Sequence, residues 1–208
     1  MNTISTNTII IEEVTTSKKV FAYSLEEGAM FTFVFVLSKS TDADVHVSVH
    51  LLGRGAQAKI IGLVNGRGGH KISIHTQQLH EAPETTSNLL VKAALTDQAQ
   101  FSYDGVIRVA RGAQKSDAYQ KNENLLLSAG ARARSDPALE ILANDVRCTH
   151  GSTTGKLSED QLWYLTTRGL SRSVASQLLV DGFFEHATAM LSDTIHQERI
   201  RKILWQTS

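Results

Sequence analysis

Up to about residue 156 the chain alternates short runs rich in Val, Ile, Thr and aromatics with Gly, Asn and Asp. Val45-His46-Val47-Ser48-Val49-His50-Leu51 alternates strictly between apolar and polar, the period of a strand with one buried face. A strand over 29–37 places Phe31, Phe33 and Phe35 on one face and Val34 and Val36 on the other. The same reading predicts strands over 8–14, 58–64, 71–77, 88–95, 100–110, 118–127, 131–142 and 146–150. Gly53-Arg54-Gly55, Asn65-Gly66-Arg67-Gly68-Gly69, Arg111-Gly112 and Asn144-Asp145 supply turn chemistry between them. Strand starts recur about every 11–19 residues with no helical pattern between them, which excludes a doubly wound α/β sheet. A sandwich or barrel and a solenoid of β rungs both fit this spacing. The segments Ala56-Gln57-Ala58-Lys59-Ile60, Ala99-Gln100-Phe101-Ser102-Tyr103 and Ala131-Arg132-Ala133-Arg134-Ser135 share a small-polar-x-polar start, which tilts the reading toward the solenoid.

After residue 156 the period becomes helical. Ser158-Glu159-Asp160-Gln161 matches a capping box, and a helix carrying Leu162, Trp163 and Leu165 ends at Arg168-Gly169. Ser171 caps a second helix, with Val174, Leu178 and Leu179 as its apolar stripe up to Gly182. Asp193 caps a third, carrying Ile195, Ile200, Ile203 and Leu204. The chain is therefore read as a β body with a helical cap of about fifty residues, which protects the terminal rung of a solenoid.

Composition narrows the function. Of 208 residues, 41% are apolar, enough for a folded core. Lys+Arg and Asp+Glu are 21 each, so the net charge is zero and nothing marks a phosphate-driven nucleic-acid binder. The longest strongly apolar run, Phe31 to Leu37, is far short of a membrane span. The N-terminus lacks the basic and apolar regions of a signal peptide, so a soluble, cytoplasmic protein is expected. A single cysteine, Cys148, excludes an internal disulfide and a multi-cysteine zinc site within one chain.

Gly151-Ser152-Thr153-Thr154-Gly155-Lys156-Leu157 glances toward a phosphate loop but has three residues between the glycines and Leu after the lysine. It is read as a turn entering a capped helix, and nucleotide hydrolysis by this chain is not expected. His46 and His50 share a strand face, whereas His70, His75 and His80, spaced by five, alternate faces; all are read as solvated strand-face histidines. His186 and His196 lie on helices and face water or a partner. Asp97, Asp104, Asp117, Glu123 and Glu140 offer carboxylates for glycoside hydrolysis, but nothing in the sequence pairs them. No G-x-S-x-G elbow is present either, and no enzymatic activity is expected. Cys148 and His150 stand two residues apart at a strand end, on one face. A thiolate with an imidazole suits zinc, copper or an iron–sulfur cluster, and a buried structural cysteine beside a satisfied histidine is the alternative. One chain offers only these two ligands here; a two-fold dimer would offer two Cys and two His.

Residues 99–185 carry a longer ordered pattern. Tyr103-Asp104-Gly105-Val106-Ile107-Arg108-Val109 leads to Ala113-Gln114-Lys115-Ser116-Asp117-Ala118-Tyr119-Gln120 and Asn122-Glu123-Asn124-Leu125-Leu126-Leu127-Ser128. Ala133-Arg134-Ser135-Asp136-Pro137-Ala138-Leu139-Glu140-Ile141, Asp145-Val146-Arg147-Cys148-Thr149-His150-Gly151 and Asp160-Gln161-Leu162-Trp163-Tyr164-Leu165-Thr166-Thr167-Arg168-Gly169-Leu170 follow. This pattern resembles the SufB/SufD family of the SUF iron–sulfur cluster assembly system. The resemblance implies a mainly β chain: a right-handed parallel β-helix over residues 1–155, then a C-terminal helical domain over 156–208. It implies dimerisation through the β-helix and docking of a SufC-like ABC ATPase on the helices, with the Arg168-Gly169-Leu170-Ser171 turn in the dock. It implies a transient iron–sulfur cluster at the dimer interface, with Cys148 and His150 as candidate metal ligands. SufB-type chains carry Glu in the position of His150, so this chain looks SufD-like there. It also looks short, lacking the family's additional N-terminal region. SufB-type chains supply a second cysteine on a neighbouring strand, which this chain lacks. The implied role is a non-enzymatic scaffold, as a homodimer or as a heterodimer with a SufB-like chain, with no nucleic acid and no membrane. The alternative is a purely structural dimerisation and ATPase-docking protein that holds no metal.

Overall fold

Each strand pairs in parallel with strands two places away along the chain, so successive strands wind between two facing sheets. The computed structural model describes residues 1–38 and 41–205. The first sheet orders β1 (Asn2–Ile4), β3 (Lys18–Leu25), β5 (Ala43–Leu51), β7 (Lys71–His80), β9 (Gln100–Val109) and β11 (Arg132–Ile141). The second orders β2 (Thr8–Glu13), β4 (Met30–Leu37), β6 (Gln57–Gly66), β8 (Thr86–Leu95), β10 (Asp117–Leu126) and β12 (Arg147–Lys156). This is a β-solenoid, and it resolves the choice between sandwich and solenoid. The strands over 2–4 and 18–25 were not foreseen: the first is short, and the second, Lys18-Lys19-Val20-Phe21-Ala22-Tyr23-Ser24-Leu25, opens on two lysines.

The two sheets differ because their outer faces differ. In β5, Ala43, Val45, Val47, Val49 and Leu51 point into the coil, and Asp44, His46, Ser48 and His50 point to water. The second-sheet strands β4, β6 and β8 are apolar on both faces, the pattern of a sheet covered on both sides. Phe31, Phe33 and Phe35 fill the coil, while Val34 and Val36 join Ile61, Leu63, Leu90 and Ala94 on the outer face, as the alternation predicted. Inside, Phe33 lies 4.8 Å from Phe21 and 5.0 Å from Tyr23, centroid to centroid. The corners repeat as well. Gly28 and Gly55 take left-handed backbone at φ +67 and +70, and Glu84 and Lys115 take it at later turns from the first sheet to the second. Ala56, Ala99 and Ala131, which begin the repeated segments, are each buried at a corner.

Three helices follow, α1 (Glu159–Thr167), α2 (Arg172–Thr188) and α3 (Thr194–Leu204); α2 and α3 cover the outer face of the second sheet, and α1 packs on α2. Their N-caps Ser158, Ser171 and Asp193 accept backbone hydrogen bonds, as the sequence predicted. Val180, Phe184, Ala187, Leu191, Ile200, Ile203 and Leu204 pack on the apolar outer face. Lysines clip the layers together: Lys59 Nζ donates to Met190 O at 3.0 Å, and Lys92 Nζ donates to Phe183 O at 2.8 Å. Lys92 is buried and also pairs with Glu123 at 2.7 Å. Burial pushes the Glu123 carboxyl up, but Lys121 and Lys92 outweigh it and hold it below its ordinary range.

Three expectations change. The helices do not cap the terminal rung; they run along one flank, because the apolar outer face of β4, β6 and β8 is what needs covering. α2 continues through Gly182 to Thr188 and buries Ala175, Val180 and Phe184, while Val174 and Leu178 face water. Gly151–Lys156 is the second half of β12 and not a turn, so it has none of the converging N–H groups of a phosphate loop.

Toward the last rungs the coil interior turns polar. Thr76 meets the Tyr103 hydroxyl at 2.8 Å, and Gln78 Nε2 donates to Gln120 Oε1 at 3.3 Å. The Tyr103 phenol occupies the space a Cβ on Gly105 would take. Asn124 Nδ2 donates to Asn122 Oδ1 at 2.8 Å, and Ser135 Oγ donates to the same oxygen at 2.8 Å. His80 departs from the solvated reading: it is buried, with Nδ1 2.7 Å from Thr85 Oγ1 and Nε2 2.8 Å from Ser87 Oγ. Burial lowers its pKa to about 4.

Two predictions follow from the packing. Phe33→Ala removes the ring at the centre of the aromatic stack and destabilises the chain by about 3–5 kcal/mol, read from urea unfolding. The depressed His80 pKa means the unfolded chain binds the extra proton first, so stability is whole above pH 6.5 and falls as pH drops toward 4. The loss approaches about 3 kcal/mol, and His80→Asn flattens that part of the profile, measured by unfolding at stepped pH.

Candidate functional site

The solenoid ends on strands with no neighbour on one side. β11 pairs only with β9 and β12 only with β10, so residues 132–141 and 147–156 present free backbone edges among the described residues. Such edges are templates for another chain unless something covers them. Leu139, Ile141 and Leu142 are exposed beside them.

Cys148 and His150 lie on this last strand. Parallel register stacks Cys148 on Ala118, and His150 on Gln120. Ala118 and Gln120 are buried and face the coil, so their register partners face the same way, at the open end of the interior. The structure thus keeps both residues on one face, as their spacing predicted. Cys148 is half-buried against the small cluster of Ile107, Val109, Ala113, Ala118 and Ala143. Burial pushes its thiol up, a hydrogen bond from the Ala118 backbone offsets part of that, and Asp117 adds to the rise. His150 is exposed. On the outward face of the same strand, Arg147 Nε donates to Asp117 Oδ2 at 3.0 Å and ties the strand start to β10.

Chemically, this edge offers one thiol and one imidazole. Both are ligands for zinc or iron, and they are two of the four such ions ordinarily take. Among the described residues no third His, Cys, Asp or Glu converges on them. The arrangement is half of a site, and a metal that binds there must displace the thiol proton.

The other sequence-flagged groups have structural partners. Asp97 accepts from the Gly68 backbone at 2.9 Å, Glu140 pairs with Arg108 at 3.3 Å, and Glu123 pairs with Lys92. His50 pairs with Glu81 at 2.9 Å, His70 with Asp42 at 3.3 Å and His196 with Asp193 at 3.1 Å, while His186 is exposed. His46 and His75 are register partners on β5 and β7, their rings stacked at 4.5 Å. Strand-by-strand reading missed this pairing. The signal was the coil period, since His46, His75 and Asp104 recur every 29 residues.

Residues 12–183 match the family described as SUF system FeS cluster assembly, SufBD core domain. The chain is 30% identical over 168 residues to the iron–sulfur cluster assembly protein SufD of Escherichia coli, covering 81% of this chain and 40% of that protein. It is 30% identical over 189 residues to an iron–sulfur cluster assembly SufBD family protein of Synechocystis, covering 76% and 41%. With a SufBD family protein of Mycobacterium bovis it shares 31% identity over 182 residues, covering 84% and 46%. The chain therefore spans less than half the length of these relatives.

The raised thiol makes one prediction at this edge. Cys148 reacts with iodoacetamide more slowly than free cysteine at pH 7.5, and its rate climbs through a midpoint above the ordinary thiol pKa. Alkylation rates measured across pH by mass spectrometry check both.

Proposed function

The chain belongs to the SufBD family of the SUF iron–sulfur cluster assembly system, and from that premise we propose that it is a SufD-like scaffold subunit and not an enzyme. The observation that carries the proposal is the half-site on an open edge: Cys148 and His150 stand at the open end of the coil interior, on a rung that no further rung covers among the described residues. Pairing a second chain to the β11–β12 end satisfies the free backbone and brings the missing ligands, as a homodimer or as a heterodimer with a SufB-like chain. The cluster is cargo, built and passed on at that interface. Residues 1–155 form the dimerising body and 156–208 the unit that docks a SufC-like ABC ATPase, in the cytoplasm. An exposed apolar surface supports the docking. Trp163 and Tyr164 on α1 and Val174 and Leu178 on α2 lie exposed on either side of the turn at Gly169, which takes φ +91. Aromatic anchors of this kind dominate protein interfaces.

A second reading has one observation in its favour. A single half-buried thiol held protonated is a poor ligand set, which suits a structural partner that dimerises and docks the ATPase without metal.

Co-expression with a SufC-like ATPase and a SufB-like chain, followed by native mass spectrometry and anaerobic iron and sulfide assay, tests both. Trp163→Asp is expected to abolish ATPase recovery and leave the β-helix dimer intact. Cys148→Ala and His150→Ala are expected to lower bound iron and sulfide at least two-fold without loss of dimer. Unchanged iron and sulfide in both variants would leave the second reading, and no recovery of either partner would sink the scaffold role.

A further inference from the structure

The solvent-facing side of the first sheet carries a second cluster of metal-type ligands, on β5 and β7. Asp44 and His46 stand two apart on β5, hence on one face, and His75 is the register partner of His46 on β7. Their ligand atoms, one carboxylate oxygen and two ring nitrogens, all lie within 4.8 Å of one another. Asp44 Oδ1 is 3.0 Å from His46 Nε2 and 3.4 Å from His75 Nε2. That oxygen is shielded from water, yet it has no hydrogen-bond partner among the described residues. The two rings lie nearly parallel, 15° apart, which turns both Nε2 atoms to the same carboxylate. Behind His75, Asp104 Oδ2 lies 3.4 Å from Nδ1.

We propose that Asp44, His46 and His75 form a surface site for a divalent transition-metal ion, with Asp104 as a positioning residue. Bonds of about 2.0–2.1 Å to a tetrahedral ion put ligand atoms about 3.3 Å apart, close to the two measured separations. Two imidazoles and a carboxylate suit zinc, iron(II) and related ions, and leave coordination positions open to water. A carboxylate behind a ligating histidine fixes the ring and raises its basicity, the part Asp104 is placed to play. The side chains are only about two-fifths exposed, 42% for His46 and 36% for His75, so the site is reachable from solvent but held by its neighbours. The site needs no second chain and does not depend on the scaffold role.

The test is calorimetric titration of the full chain with Zn²⁺ in a non-coordinating buffer, in a Cys148→Ala background that removes the chain's single thiol. One saturable ion per chain is expected. Asp44→Asn and His75→Gln each weaken it at least ten-fold, Asp104→Asn weakens it by about ten-fold, and His186→Ala on an exposed helix leaves it unchanged. Co²⁺ substitution adds a readout that folding changes do not mimic: a visible d–d band present in the parent and absent in His75→Gln, with thermal unfolding showing both folded. No saturable site, or the same affinity and cobalt band in Asp44→Asn and His75→Gln, would show an ordinary ion-pair cluster and overturn the proposal.

Discussion

In-register parallel stacking governs this molecule. Once each strand hydrogen-bonds to the strand one turn away, every side chain sits above and below the same partners' side chains, turn after turn. Columns form, and a column must be chemically uniform or locally satisfied. Phenylalanines accordingly stack in the early coil, and where the later coil changes to Gln, Asn and Thr these side chains hydrogen-bond to one another, as Gln78 does to Gln120 and Asn124 to Asn122. The same rule makes the ends unavoidable. A parallel ladder has no internal way to close, so the last rung of a solenoid leaves its backbone edge for something else to use.

The helices could have met that need and do not. They are committed to the second sheet, whose outer face is apolar along β4, β6 and β8 and has to be covered. Burying Lys92 beneath them works because its ammonium finds the α2 carbonyl of Phe183 and the carboxylate of Glu123; half-buried Lys59 finds the Met190 carbonyl just past α2. Covering the flank therefore leaves the β11–β12 end bare. The two consequences are linked: the apolar outer face draws the helices to one place, and the open end with Cys148 and His150 is what remains.

Much of this was legible in sequence. The Phe31–Leu37 run, apolar on both faces, already required a double-sided strand, and the strict alternation of 45–51 required a one-sided one. Caps at Ser158, Ser171 and Asp193 were local signals with local outcomes. Failures came where the deciding partner was distant. Val174 and Leu178 made a plausible stripe, but the tertiary contact chose the face of Ala175, Val180 and Phe184. His80 read as solvated because nothing local announced Thr85 and Ser87 as its partners inside the coil. Spacing of two put Cys148 and His150 together, whereas Asp44, His46 and His75 required the coil period, a long-range quantity invisible to strand-by-strand reading.

Contrasting the two ligand sets sharpens what each can be. At the β12 edge the thiol is packed against apolar neighbours and held protonated, and its histidine stands in water without a third donor. In the proposed scaffold role such a set gains its missing ligands from a second surface closing over it. On the first sheet, the three donors lie within 4.8 Å of one another, and one carboxylate oxygen has no hydrogen-bond partner among the described residues. Preorganisation removes the ordering cost that the edge site still faces. The two sets differ by position: the first lies where the ladder stops, the second where it continues on both sides.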